Sequence, residues 1–127
     1  MIIHMDTFFP KQPPEKEDGN KEYKRYISCN NKSSENDFIN RRASQMLYRL
    51  IEGDGKAVYL IGVDDDGKVI SLNESEIKDT IKYITLISNE INANIIGIRI
   101  YKNKVCTIRL QLEKDTLDTK LQNLKLY

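Results

Sequence analysis

The sequence predicts an α+β domain: a mixed sheet of about five strands with two helices on one face, in the order β-α-β-β-α-β-β. Three observations carry that reading. Isoleucine recurs at 77, 81, 84, 87 and 91, a spacing that lines one side of a helix with apolar groups. Alternation follows: Ile96, Ile98 and Ile100, then Cys106, Ile108, Leu110 and Leu112, are set against Arg99, Tyr101, Thr107, Arg109 and Gln111. A period of two marks strands with one buried face. Lys56 to Val63 is nearly all apolar, as in a strand covered on both faces. Helices with one stripe each must bury it on a shared surface, so both belong on the same side of the sheet.

The elements follow in order. Residues 1–20 hold Pro10, Pro13 and Pro14, then Glu15-Lys16-Glu17-Asp18-Gly19-Asn20. Proline removes donors and charges resist burial, so this segment is expected to be a flexible leader, with Phe8-Phe9 the part able to dock. The domain proper spans 21–113. Glu22 to Cys29 suits a strand. Ser34 with Asp37 resembles a capping box, and Ile39, Ala43, Met46, Leu47 and Leu50 then share a helical face. Gly53-Asp54-Gly55 ends that helix, because glycine accepts the left-handed conformation. Asp64-Asp65-Asp66-Gly67-Lys68 signals a hairpin turn, with Val69–Leu72 as the return strand. Asn73 and Glu76 cap the isoleucine helix, and Asn92-Ala93-Asn94 breaks it. Residues 114–127, with leucines at 117, 121 and 124, form a linker or a short helix.

Composition bounds the function. At 127 residues one domain is expected. Lysine and arginine number 20 against 19 acids, a net charge of +1, so any basic surface must come from local segregation of charge. The two cysteines, Cys29 and Cys106, lack CxxC spacing, and His4 is the only histidine. A zinc site has too few ligands, and no metal is expected. The cysteines read as small apolar residues. No run of 18 apolar residues exists, which argues against a membrane span or membrane partner. Met1 to Phe9 is too short and polar for a signal peptide. A reducing compartment, cytosol or nucleus, follows, and a cytoplasmic setting is expected.

Few constellations suit catalysis. Consecutive strand residues point to opposite faces, so Asp64, Asp65 and Asp66 cannot all meet one cation, and the Asp-Gly turn explains them. No Gly-x-x-x-x-Gly-Lys-Ser/Thr loop occurs, so the chain encodes no phosphate cradle of that class. His4 in a leader cannot hold catalytic geometry. No catalytic residue and no cofactor are therefore expected in this chain. The remaining candidate is basic. Tyr23, Lys24, Arg25, Arg42 and Arg49 interleave aromatic and cationic groups in the first half, as an RNA-facing edge would. The competing reading is a solvated helix face and a charge-guarded edge strand.

Several runs together carry a family resemblance: Gly19 to Lys24, Ser44-Gln45-Met46 through Arg49-Leu50 to Val63, Asp64 to Gly67, and Leu72-Asn73-Glu74-Ser75-Glu76, continued by Ala93, Ile95 and Arg99. In this order and spacing the chain resembles the GTP-binding protein 1/2 family of elongation-factor-like translational GTPases over residues 19 to 112. The resemblance implies the segment that precedes the GTPase domain. It implies a ribosome, tRNA or other RNA, or the GTPase domain of the same protein, as partner. GTP enters only with such a following domain. Ile61 to Gly67 with Val69 and Leu72 also resembles the Schlafen-type AlbA domain, which implies an alternative: a metal-dependent RNase with Glu22 and one of Asp64 to Asp66 as ligands. A third reading is a module that binds only protein.

Overall fold

The computed structural model describes residues 2–125, with side chains through Asn123. The elements are β1 (Ile2–His4), β2 (Lys21–Lys24), α1 (Glu35–Glu52), β3 (Lys56–Ile61), α2 (Glu74–Glu90), β4 (Asn94–Ile100), β5 (Cys106–Gln111) and α3 (Lys114–Lys125). The strands form one five-stranded mixed sheet ordered β1-β4-β5-β3-β2. The three central strands are antiparallel, and both edges are added parallel, β1 on β4 and β2 on β3. The predicted class holds, with a third helix in the segment read as linker or short helix.

Register divides the sheet's two faces. Ala57, Tyr59 and Ile61 pair beside Leu110, Ile108 and Cys106, and these side chains pack with Met46 and Leu50 of α1 and Ile84 and Ile87 of α2 in the main core. The capping box on α2 forms as read: Asn73 Oδ1 accepts from Glu76 N at 2.8 Å and Glu76 Oε1 from Asn73 N at 3.0 Å. At α1 the expected pair does not form. Ser34 makes no side-chain cap bond, because Asn31 already caps a 3₁₀ turn at Lys32–Ser34 that leads into the helix. At its other end Gly53 has φ −98°, and the left-handed residues are Asp54 and Gly55. Gly53 is required for space instead: a Cβ there would lie 1.8 Å from the Lys56 carbonyl oxygen.

The fifth strand is not the one expected. The Asp-Gly turn closes, with Gly67 N donating to Asp64 O at 2.8 Å, but pairing stops after one bridge between Val63 and Val69. Ile70 N turns back to Gly62 O, Ser71 takes φ +66°, and Leu72 N donates to Lys104 O. The chain thus leaves the ladder toward α2. Ile2–His4, from the segment expected to be a leader, fills the fifth place. A bulge between Ile95 and Gly97 also breaks the alternation read for β4, so Ile95 turns to the core and Ile96 is exposed.

Residues 5–20 connect the two sheet edges. Asn103 brackets Phe9, accepting from its N–H at 2.9 Å and donating to its carbonyl at 3.0 Å. The Phe9 ring meets Tyr101 edge-on at 5.0 Å. Gln12 N donates to Gly67 O and Glu15 N to Asp65 O. This strap covers one end of the sheet's second face, where Tyr23, Leu60, Val63 and Val105 form a smaller core.

Candidate functional site

Among the described residues, the most heavily bonded polar group lies where α1 meets the strap. Arg49 sits on the buried stripe of α1 with Ala43, Met46 and Leu50, and is 4% exposed. A charge there must be paired. Its partner is Glu22, 2% exposed, whose register opposite Tyr59 turns it to the helix side of β2. Arg49 Nε donates to Glu22 Oε1 at 2.8 Å. Nη1 reaches the carbonyls of Glu17, Asp18 and Gly19 at 3.2, 2.9 and 2.9 Å, and Nη2 that of Lys16 at 3.0 Å. Glu15 Oε2 stands 3.8 Å from Nη2. The planar guanidinium thereby gathers five successive residues, a geometry its fixed fork of donors suits.

The acids of the cluster are occupied. Glu22 Oε2 lies 3.3 Å from Lys24 Nζ, and Glu15 accepts the Tyr23 N–H. Partial burial pushes the Glu15 carboxyl above its ordinary range, the Tyr23 N–H opposes the shift, and the Glu22 charge adds to it. Glu15 is the acid beside Glu22 that the sequence does not single out, since it lies in the proline-rich segment. Both acids are turned to Arg49. Asp64 Oδ1 accepts from Asp65 N and Asp66 Oδ1 from Lys68 N, each holding the turn. Among the described residues no group of three or more His, Cys, Asp or Glu side chains is placed to hold a metal ion.

The five residues read as an RNA edge are separated by the fold. Arg49 and Lys24 meet at Glu22. Tyr23 points to the opposite face of the sheet, is 4% exposed, and donates its hydroxyl to Pro13 O at 3.0 Å. Arg25 is exposed. Arg42 is half-buried, its guanidinium 4.6 Å from the Phe38 ring centre. Beside Tyr23, a cleft of about 270 Å³ opens between strap and sheet, lined by Pro13, Pro14, Lys16, Asn20 and Lys21, with Asp18 also on its wall. Of the cysteines, Cys106 is fully buried in the core as read, whereas Cys29 is half-buried. No helix of the described residues is long and apolar enough to cross a membrane.

The fold and this cluster define a small α+β domain organised around an internal arginine clamp. Its sequence is similar to GTP-binding protein 2 of Mus musculus and of Homo sapiens, at 39% identity over 90 residues. The match takes in 71% of this chain and 14% of that protein. An uncharacterized protein of Acanthamoeba polyphaga mimivirus is 36% identical over 88 residues, 68% of this chain and 45% of the viral protein. The chain therefore spans less than half the length of these relatives. No protein-family model matches it, and no solved structure matches it. The similarity to GTP-binding protein 2 agrees with the resemblance read from residues 19 to 112.

Proposed function

We propose that this chain is a non-catalytic accessory domain of the GTP-binding protein 2 type, corresponding to the segment before the GTPase domain, and that it works in the cytoplasm by docking. The observation that supports it is a contrast. Seventy-one per cent of the chain matches GTP-binding protein 2, yet the sequence contains no phosphate-cradling glycine loop. The shared part is thus a domain that accompanies nucleotide chemistry rather than one that performs it. Its elaborate polar site points the same way, because every direction of the Arg49 guanidinium is turned inward on the chain itself. Partners of a translational kind follow: the GTPase domain of the same protein, the ribosome, or tRNA and other RNA.

The test is binding in trans. Purified chain is mixed with the GTPase portion of GTP-binding protein 2, with ribosomes and with tRNA, and each mixture is followed by sedimentation or gel filtration. Co-migration with at least one supports the reading, and a change in GTP hydrolysis by the GTPase portion supports docking on that domain. No association with any of the three sinks it.

A further inference from the structure

We infer that the second face of the sheet, where the strap leaves it open, is a binding surface for single-stranded RNA. The inference deepens the proposed function by naming the face and the class of RNA it would bind; it rests on the RNA arm of that reading and is argued from register and charge, independently of docking on a GTPase domain. Glu22 and Lys24 point to the helix side, so Lys21 and Tyr23 point to the other. The same alternation places Lys56, Val58 and Leu60 of β3, Thr107, Arg109 and Gln111 of β5, and Gly97 and Arg99 of β4 on that second face. Every charged strand residue on this face is therefore a cation: Lys21, Lys56, Arg99 and Arg109. Lys21, Lys56 and Arg109 are exposed and Arg99 is half-buried. None of the four has a carboxylate within 4.0 Å among the described residues. The chain as a whole is almost neutral, so this is the local segregation that a basic footprint requires.

Geometry argues for a strand of phosphates. In register, Gly97, Arg109, Val58 and Lys21 form one row across four strands, with Arg99 one step along the sheet on one side and Lys56 on the other. Strand spacing of about 4.8 Å and a rise of about 3.3 Å per residue set neighbouring cations roughly 8 Å apart at Cα. Gly97 leaves the floor beside Arg109 empty, since a Cβ there would meet nothing within 4 Å. At Lys21 the same face runs into the cleft under the strap, which adds Lys16 and, on its wall, Asp18. Asn94 and Gln111, paired in register beside Arg109, offer neutral donors and acceptors of the kind a ribose 2′-hydroxyl uses. An acidic peptide would also satisfy these cations and amides, and the experiment separates it from RNA.

The experiment is fluorescence anisotropy of a labelled ten-nucleotide uridine RNA with the full chain, between 50 and 200 mM salt. Four phosphate contacts give a salt slope of about −2.8, so affinity falls about 50-fold over that range. The double variant Lys56→Ala/Arg109→Ala should bind at least about ten-fold more weakly, and its remaining affinity should fall only about seven-fold. Gly97→Leu keeps every charge and fills the floor, and should weaken binding with the salt slope unchanged. Arg25→Ala and Arg42→Ala should bind as the parent does, and unfolding midpoints show that each variant folds. Binding lost in Arg25→Ala or Arg42→Ala but kept in the sheet-face variants overturns the inference. Equal affinity for the DNA oligomer of matching sequence, or stronger binding of a polyglutamate peptide, overturns the RNA assignment. Absence of RNA binding with the GTPase portion or ribosomes still bound overturns this inference alone, and absence of association with RNA, ribosomes and the GTPase portion together removes the proposed function as well.

Discussion

Removing the Arg49 guanidinium should unlatch the strap and destabilise the domain by about 3 kcal/mol. Truncation to alanine leaves Glu22 as a buried carboxylate, 2% exposed, without its 2.8 Å partner. Breaking a buried pair from one side costs about 3–5 kcal/mol. The lower end applies here, because Lys24 remains 3.3 Å from the other Glu22 oxygen and the freed carbonyls of Lys16 to Gly19 lie in a segment that water reaches. For a chain of this size that corresponds to a fall in Tm of about 12 °C. Urea unfolding gives the free energy, and trypsin gives the location. Cleavage after Lys16, whose carbonyl Arg49 holds at 3.0 Å, should accelerate in Arg49→Ala. Arg49→Lys should not rescue, since an ammonium is a single point and cannot span Glu22 and four carbonyls. Arg49→Met/Glu22→Leu should be more stable than Arg49→Ala, because the deeply buried Glu22 carboxylate is then gone and the charges left unpaired, Lys24 and Glu15, are the more accessible ones. A loss under about 1 kcal/mol together with unchanged cleavage at Lys16 would show that the clamp does not hold the strap.

Further predictions address other parts of the fold. Gly67→Ala should cost about 1–2 kcal/mol from its φ of +90° alone, and should also displace the strap, since its Cβ would lie 1.9 Å from the Gln12 carbonyl. Faster tryptic cleavage after Lys11 reads the displacement, and Gly19→Ala, with φ +86° and no atom nearby, controls for strain. With Ellman's reagent one thiol should react in the native protein and the second only on unfolding. Cys106 is fully buried, and burial pushes its thiol up to about 12, so raising the pH from about 7 to 9 should not expose it as thiolate; two native equivalents would contradict the packing. Burial raises the Tyr59 phenol well above its ordinary value. Above about pH 10 the unfolded chain releases that proton and the folded one keeps it, so stability falls with rising pH by about 1.4 kcal/mol per unit. Tyr59→Phe should remove that share of the slope in urea titrations at pH 9 to 11, and identical slopes would refute it.

What the sequence made legible was whatever local pattern decides. The isoleucine repeat and the Asn73–Glu76 pair specify α2, because helix periodicity and a capping box are short-range. The alternation in 98–101 and 106–112 specifies the β4-β5 hairpin. Ile2–His4 escaped because a three-residue strand has no period of its own, and only its parallel partner 98–100 makes it one. Val69–Leu72 misled because turn chemistry sets the reversal but not the pairing that follows, which Ser71 and the Lys104 carbonyl divert. The clamp was half visible. Arg49 lies one residue before Leu50 and three after Met46, so a charged group on a helix's buried stripe already demands a partner. Nothing local identified Glu22 and the strap carbonyls as that partner, and the aromatic-basic pattern around Tyr23 and Arg49 suggested an outward edge where the fold turns both residues inward. The sheet-face cations lie on four different strands, and only register brings them together.

The strap also orders the events of folding. One fastening is among the most distant of the described residues, Phe9 meeting Asn103 across 94 positions, and Arg49 closes on residues about 30 positions back. Loops of that length gain nothing until both ends are in place, so they close late. During synthesis residues 2–24 leave the exit tunnel before β4 and β3 exist to receive them. Until then β3 and β4 are the edges of a three-stranded sheet, with one flank of each unpaired. The two edges should therefore be sealed late in folding, and until they are the domain is most exposed to pairing with a foreign strand.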